Sequence, residues 1–120
     1  MANGTSTDIS GDGSVINFNY NLLTADHTGS GASAVEYADR SVQVAGTFDG
    51  ATVIIEGSND GGTTWAQLRD PAGTLISFTG AGLKSIMELT GQIRPRLSVV
   101  GTAADLEINL LARRVNTMRQ

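Results

Sequence analysis

Residues Ala51 to Asp70 constrain the fold of this chain more than any other stretch. A β-branched run, Thr52-Val53-Ile54-Ile55, leads into Ser58-Asn59-Asp60-Gly61-Gly62-Thr63, and the chain leaves through Thr64-Trp65-Ala66-Gln67-Leu68. Val, Ile and Thr fit the pleated surface of a strand, and Asn-Asp-Gly-Gly supplies the positive φ that a tight reversal demands. The stretch predicts a β-hairpin.

Within that turn, Ser58, Asp60, Gly62, Thr64 and Trp65 spell S-x-D-x-G-x-T-W, which resembles the Asp-box of sialidases and of many unrelated β proteins. The resemblance implies a folding device: Ser58 and Asp60 bond backbone groups of the turn, and Trp65 packs beneath the hairpin. The chemistry agrees, because short Ser and Asp side chains readily accept local N–H bonds. A sialidase propeller needs several such turns on blades of about 40–50 residues each. The chain has one copy in 120 residues, so a sialidase is not expected.

The remaining segments alternate like strands. Val15 to Leu23 puts Ile16, Phe18, Tyr20 and Leu22 on one face and Asn17, Asn19 and Asn21 on the other. Arg40 to Phe48 aligns Val42, Val44 and Phe48, with Gly46 marking a bulge or a close backbone approach. Asp49-Gly50 then signals a hairpin into Thr52. Asp70-Pro71-Ala72-Gly73 is a turn, and Thr74 to Phe78 a short strand. Leu83 to Leu89 fits either a strand or a helical turn, and strand is preferred because a lone helical turn would lack neighbours. Gln92 to Val100 alternates with Pro95 inside it, which predicts an edge strand or a bulge. Leu106, Ile108 and Leu110 line one face of the last strand.

Eight or nine short antiparallel strands and no convincing helix predict an all-β fold, a β-sandwich of jelly-roll-like arrangement. At 120 residues the chain forms one domain with a core that needs no disulfide, and it has no cysteine to make one. Residues 1–14, rich in Gly, Ser, Thr and Asp, read as a flexible polar arm. Residues 15–113 form the sandwich, and residues 114–120 a basic tail. No signal-peptide segment follows Met1 and no apolar run reaches the roughly 20 residues of a membrane span, so no membrane contact is expected.

Charge is unevenly spread. Residues 1–60 hold eight acids against Arg40 alone, whereas residues 61–120 hold four acids and seven bases. In an oligomer, opposite halves of neighbouring copies would attract, which acts on register and on-rate more than on affinity.

No set of residues makes a catalytic constellation, and an enzyme is not expected. His27 is the only histidine and sits in a Gly/Ser-rich loop, which leaves neither a multi-histidine metal site nor a Cys–His pair. Asp8, Asp12 and the Asn59-Asp60 pair offer too few oxygens for calcium, which takes roughly 6–8; they read as turn-forming side chains, and no cofactor is expected. Trp65 is either a stacking platform for a sugar ring or an aromatic tucked against its own hairpin, and the second is preferred. Arg94, Arg96, Lys84, Arg113, Arg114 and Arg119 make a possible basic surface, but sequence-tolerant nucleic-acid binders interleave such bases with aromatic platforms, and this half holds only Trp65 and Phe78. Pairing is the better reading: if Gly101 to Ala104 closes a hairpin, Arg96 lies diagonal to Glu107. No nucleic acid is expected.

The stretch Ser41 to Ala112 is similar to small β-sandwich structural proteins of tailed bacteriophages, among them capsid decoration, or cement, proteins. Val42 to Phe48 (VQVAGTF), Gly57 to Trp65 (GSNDGGTTW), Asp70 to Gly73 (DPAG), Ile76 to Lys84 (ISFTGAGLK) and Ile93 to Arg96 (IRPR) carry the resemblance. It implies a jelly-roll-like domain on the virion surface, assembled in the host cytoplasm. There it would act as a homotrimer that binds the major capsid protein and fastens neighbouring subunits. The expected partner interface comprises the arm residues Asn3, Thr5, Thr7, Asp8 and Asp12, lying along a neighbouring subunit, with Arg94, Arg96, Arg113 and Arg114. A carbohydrate-binding module, or a tail, baseplate or fibre component, is the alternative.

Overall fold

The computed structural model describes residues 4–33 and 37–114. They form ten strands and no helix: β1 (Thr5–Asp8), β2 (Val15–Leu23), β3 (Ala32–Ser33), β4 (Asp39–Thr47), β5 (Thr52–Ser58), β6 (Ala66–Gln67), β7 (Ser77–Phe78), β8 (Gly82–Ile86), β9 (Gln92–Val99) and β10 (Asp105–Arg113). Every pairing is antiparallel. A long sheet runs β1-β2-β10-β4-β8 and faces a short sheet β3-β9-β5-β6, in which β7 also pairs with β5.

The pairings describe one ribbon doubled back on itself. Its tip is the turn between β5 and β6, where Glu56 faces Gln67 and Gly57 faces Ala66. Moving away from the tip, β4 pairs with β8, β3 with β9 and β2 with β10. Rolling this ribbon adds the contacts of β10 with β4 and of β5 with β9. Alternation does the rest. Tyr20, Leu22, Val42, Val44, Leu106, Ile108 and Leu110 point from the long sheet into a core completed by Val53, Ile55, Ile93, Leu97 and Phe78 from the short one and by Ile76 just before β7. Burying an apolar side chain of this size stabilises by about 1.5–3 kcal/mol, and only the sandwich covers both sets.

Several expectations change. Residues 5–8 are not an arm on a neighbour but the edge strand of their own sheet, with Thr5 opposite Asn19 and Asp8 opposite Ile16. Backbone ladder bonds hold them where apolar burial is lacking; Asn3 lies outside the described residues. Asp49 and Gly50 do adopt left-handed turn geometry, with φ of 47° and 88°, yet the turn joins strands of different sheets. The same holds for Gly101 to Ala104, which links β9 to β10 across the sandwich, so Arg96 never lies near Glu107 by hairpin pairing and meets Glu56 instead. The two crossings pack together, the Thr102 N–H donating to the Asp49 carbonyl at 3.2 Å.

Pro95 is neither on an edge nor at a bulge. It faces Ile55 inside the short sheet. Its carbonyl accepts from the Gly29 N–H at 2.9 Å, and in an antiparallel ladder a residue's two polar groups point the same way. The donor that proline lacks would therefore face the loop before β3, and β5 loses nothing. The irregularity in this pair falls between Thr52 and Val53, opposite Leu97 to Val99. Leu83 to Ile86 is strand, and Thr74 to Ile76 is not. Gly46, at φ 112°, marks a close approach: a Cβ there would sit 2.4 Å from the Asp105 carbonyl oxygen.

Candidate interaction surface

The outward side of β5 carries Ile54, Glu56 and Ser58, which alternation would leave in solvent. They are nonetheless buried, at 6, 7 and 2 % exposure, because the side chains of adjoining strands lie over them. Arg94 is registered opposite Glu56 and Arg96 opposite Ile54. The Glu56 carboxylate accepts from Arg94 Nε at 3.0 Å on one oxygen and from Arg96 Nε at 2.9 Å on the other. The Arg94 guanidinium then lies over the Trp65 ring, its carbon 4.0 Å from the centroid. Charge-assisted hydrogen bonds and a cation–π contact thus run in series from Arg96 through Glu56 and Arg94 to Trp65.

Trp65 is held from its other end by the turn. Its indole N–H donates to the Gly62 carbonyl at 2.9 Å. Ser58 Oγ donates to Asp60 Oδ1 at 2.7 Å and accepts from the Gly62 N–H at 3.0 Å. Asp60 Oδ1 also accepts from the N–H groups of Thr63 and Thr64 at 3.1 and 2.9 Å. The Thr64 backbone bond, followed by the Ser58 hydroxyl, holds the Asp60 carboxyl down to about 2.

A second turn repeats the serine-centred part of this bond set between β1 and β2. Ser10 Oγ donates to Asp12 Oδ1 at 2.7 Å and accepts from the Ser14 N–H at 3.1 Å. The Ser14 hydroxyl, then that of Ser10, holds Asp12 down to about 2. Asp8 accepts from the N–H groups of Ser10, Gly11 and Gly13. The spacing Ser10-x-Asp12-x-Ser14 parallels Ser58-x-Asp60-x-Gly62. That signal was present in the sequence, but only its Ser and Asp match the full motif, Ser14, Ile16 and Asn17 standing where the other turn has Gly62, Thr64 and Trp65. The carboxylates of Asp8, Asp12 and Asp60 are engaged by their own loops. No group of three or more acidic or histidine side chains able to hold a metal occurs among the described residues.

The expected basic surface divides. Arg94 and Arg96 sit together on the short sheet. Arg113, on the long sheet, pairs with Asp39, and Arg114 donates to the Gly13 carbonyl at 3.2 Å. Lys84 stands 3.9 Å from Asp70, and Arg119 lies outside the described residues. Thr5 and Thr7 lie on the exposed edge strand. His27 is exposed, and its carbonyl accepts from the Leu97 N–H at 2.8 Å.

Arg40 gave no sequence signal beyond its inward register beside Val42. It is buried, with Nε donating to the Tyr37 carbonyl at 2.6 Å and Nη2 to the Thr90 carbonyl at 2.7 Å. Burial pushes its pKa down. This side chain ties the start of β4 to the loop before β9. The outer face of the long sheet is a carboxamide ladder, in which Asn19 Nδ2 donates to Asn109 Oδ1 at 2.8 Å and Asn21 Nδ2 to Asp105 Oδ1 at 2.9 Å. Compared with protein-family models, curated proteins and solved structures, the chain matches none.

Proposed function

We propose that the chain is a non-enzymatic structural protein of a phage virion, of the capsid decoration kind, and that its sandwich is a jelly roll. The pairing order carries this reading. Partners β2·β10, β3·β9, β4·β8 and β5·β6 divide into sheets β2-β10-β4-β8 and β3-β9-β5-β6. An eight-stranded ribbon rolled in this way is the double-sheet design shared by viral capsid and lectin domains. β1 adds a ninth strand to one edge.

Between those two uses, the state of Trp65 favours the structural one. A sugar-stacking tryptophan needs a bare ring face, and Arg94 already takes one of the two faces of this ring. The cluster of Trp65 from the turn before β6, Glu56 from β5, and Arg94 and Arg96 from β9 supplies what a docking surface uses: Trp and Arg dominate the energetics of protein interfaces. The proposed partner on this face is the major capsid protein. The test is immunogold electron microscopy of virus particles from the producing host, with antibody raised against the chain. Labelling over the capsid shell supports the reading. Label confined to tails, or found only on free protein, overturns it. A glycan-binding screen in which Trp65→Ala abolishes a positive signal would promote the carbohydrate alternative.

A further inference from the structure

The β8 side of the molecule exposes apolar surface. Leu83, Met87 and Leu89 are 65, 59 and 61 % exposed. The loop from Arg69 to Leu75 lies beside them, since the Met87 N–H donates to the Arg69 carbonyl at 2.8 Å and Arg69 bridges to Leu75, itself 43 % exposed. Across β4, the register Leu111–Ser41–Ser85 extends this face to the exposed Leu111 through two small serines. Clustered apolar exposure of this kind marks interaction sites on soluble domains.

Strand addition is not what this edge is built for. The register opposite Val42 turns Lys84 toward the inside of the sandwich, and an inward charge on an edge strand discourages pairing with another strand. The Arg69 carbonyl also occupies the Met87 N–H. The side chains, not the backbone, are what this face offers a partner.

Charge identifies the partner. The chain carries a net −4, so two copies repel over most orientations. Around the apolar residues, however, Arg69 stands 3.7 Å from Glu88, and Arg113, on the Leu111 side, is paired with Asp39. The rim is therefore neutral and carries matched charges of both signs. A two-fold operation sets the same patch against itself, and such a rim can then meet opposite charge without net repulsion. We propose that a second copy of this chain packs on the face formed by Leu83, Met87, Leu89 and Leu75, giving a two-fold dimer. This inference stands whether or not the virion reading does.

The test is the solution mass of the full chain by light scattering and sedimentation over a range of concentrations. The expected result is a dimer that Leu83→Lys combined with Met87→Lys converts to monomer, with the melting temperature of the dilute protein unchanged. Ile9→Lys, at an exposed residue of the β1–β2 turn, should leave the dimer intact. Because the chain has no cysteine, a bis-maleimide should join Met87→Cys protomers and leave Ile9→Cys protomers unjoined. A wild type that stays monomeric, a mass of three subunits, or a dimer indifferent to both lysines overturns the proposal. So does association that appears only after residues 115–120 are removed, which would assign the face to the chain's own C-terminus. If the double variant fails to fold, the cross-linking result alone decides.

Discussion

The guanidinium carbon of Arg94 lies 4.0 Å from the centre of the Trp65 ring. Trp65 is the only tryptophan, so its fluorescence reports this contact directly. Arg94→Ala should shift the emission to the red, raise acrylamide quenching, and lower the melting temperature. Arg94→Lys keeps the charge but loses the flat stacking and the paired donors, and should show most of the spectral change. Unchanged spectra in both variants would sink the stacking account.

Glu56 lies between two arginines that point to the same side of β9, two residues apart. Glu56→Ala removes the acceptor of both and leaves the Arg94 and Arg96 charges close together, an effect of about 2 kcal/mol. Its neutral isostere, Glu56→Gln, should lose less. Urea titration measures both, and equal loss would mean that volume rather than charge matters here.

Arg40→Met keeps much of the side-chain volume but leaves the carbonyls of Tyr37 and Thr90 without this donor. The expected destabilisation is about 3 kcal/mol, read as a lower urea midpoint at constant slope. A midpoint within error of wild type would show that the loop before β9 is held by other means.

Acid should weaken the fold through its two serine–aspartate turns. Asp12 and Asp60 are depressed from 3.8 to about 2. A carboxylate with a depressed folded pKa stabilises the fold above its unfolded pKa and loses that contribution as pH falls through the folded value. The melting temperature should thus decline between pH about 4 and about 2. Asp12→Asn with Asp60→Asn should start lower at neutral pH and flatten this decline. A parallel pH profile in the double variant would show that other groups govern the acid limb.

A chain beginning at Ser14 should fold but melt below the full-length protein. Removing β1 takes away the ladder bonds to β2 and uncovers the aromatic neighbourhood of Tyr20, against which Gly4 packs. Differential scanning calorimetry of the two chains decides, and coincident transitions would return residues 5–8 to the status of a loose arm.

Local chemistry was enough to read the strands and the tip of the ribbon from the residues alone. Alternation in Val15 to Leu23 and in Leu106 to Leu110 assigns inward and outward faces without reference to partners, because successive side chains of a strand point to opposite sides. Ser58 to Trp65 closes its own turn with bonds spanning no more than four residues, so its geometry is written within the motif. The Ser10-Asp12 turn is equally local. The residues at Asp49-Gly50 and Gly101 to Ala104 specify a reversal, but not which sheet receives the next strand. Only tertiary packing decides that. A flat hairpin of β4 and β5 would leave Val42, Val44, Val53 and Ile55 on one uncovered face, whereas crossing over lets the two sets cover each other. The same long-range choice sets Arg96 against Glu56 rather than Glu107, makes Thr5–Asp8 an edge strand, and brings Arg40 to the Thr90 carbonyl, 50 residues along the chain. Those partners are far apart in sequence, and nothing in the spacing of residues names them.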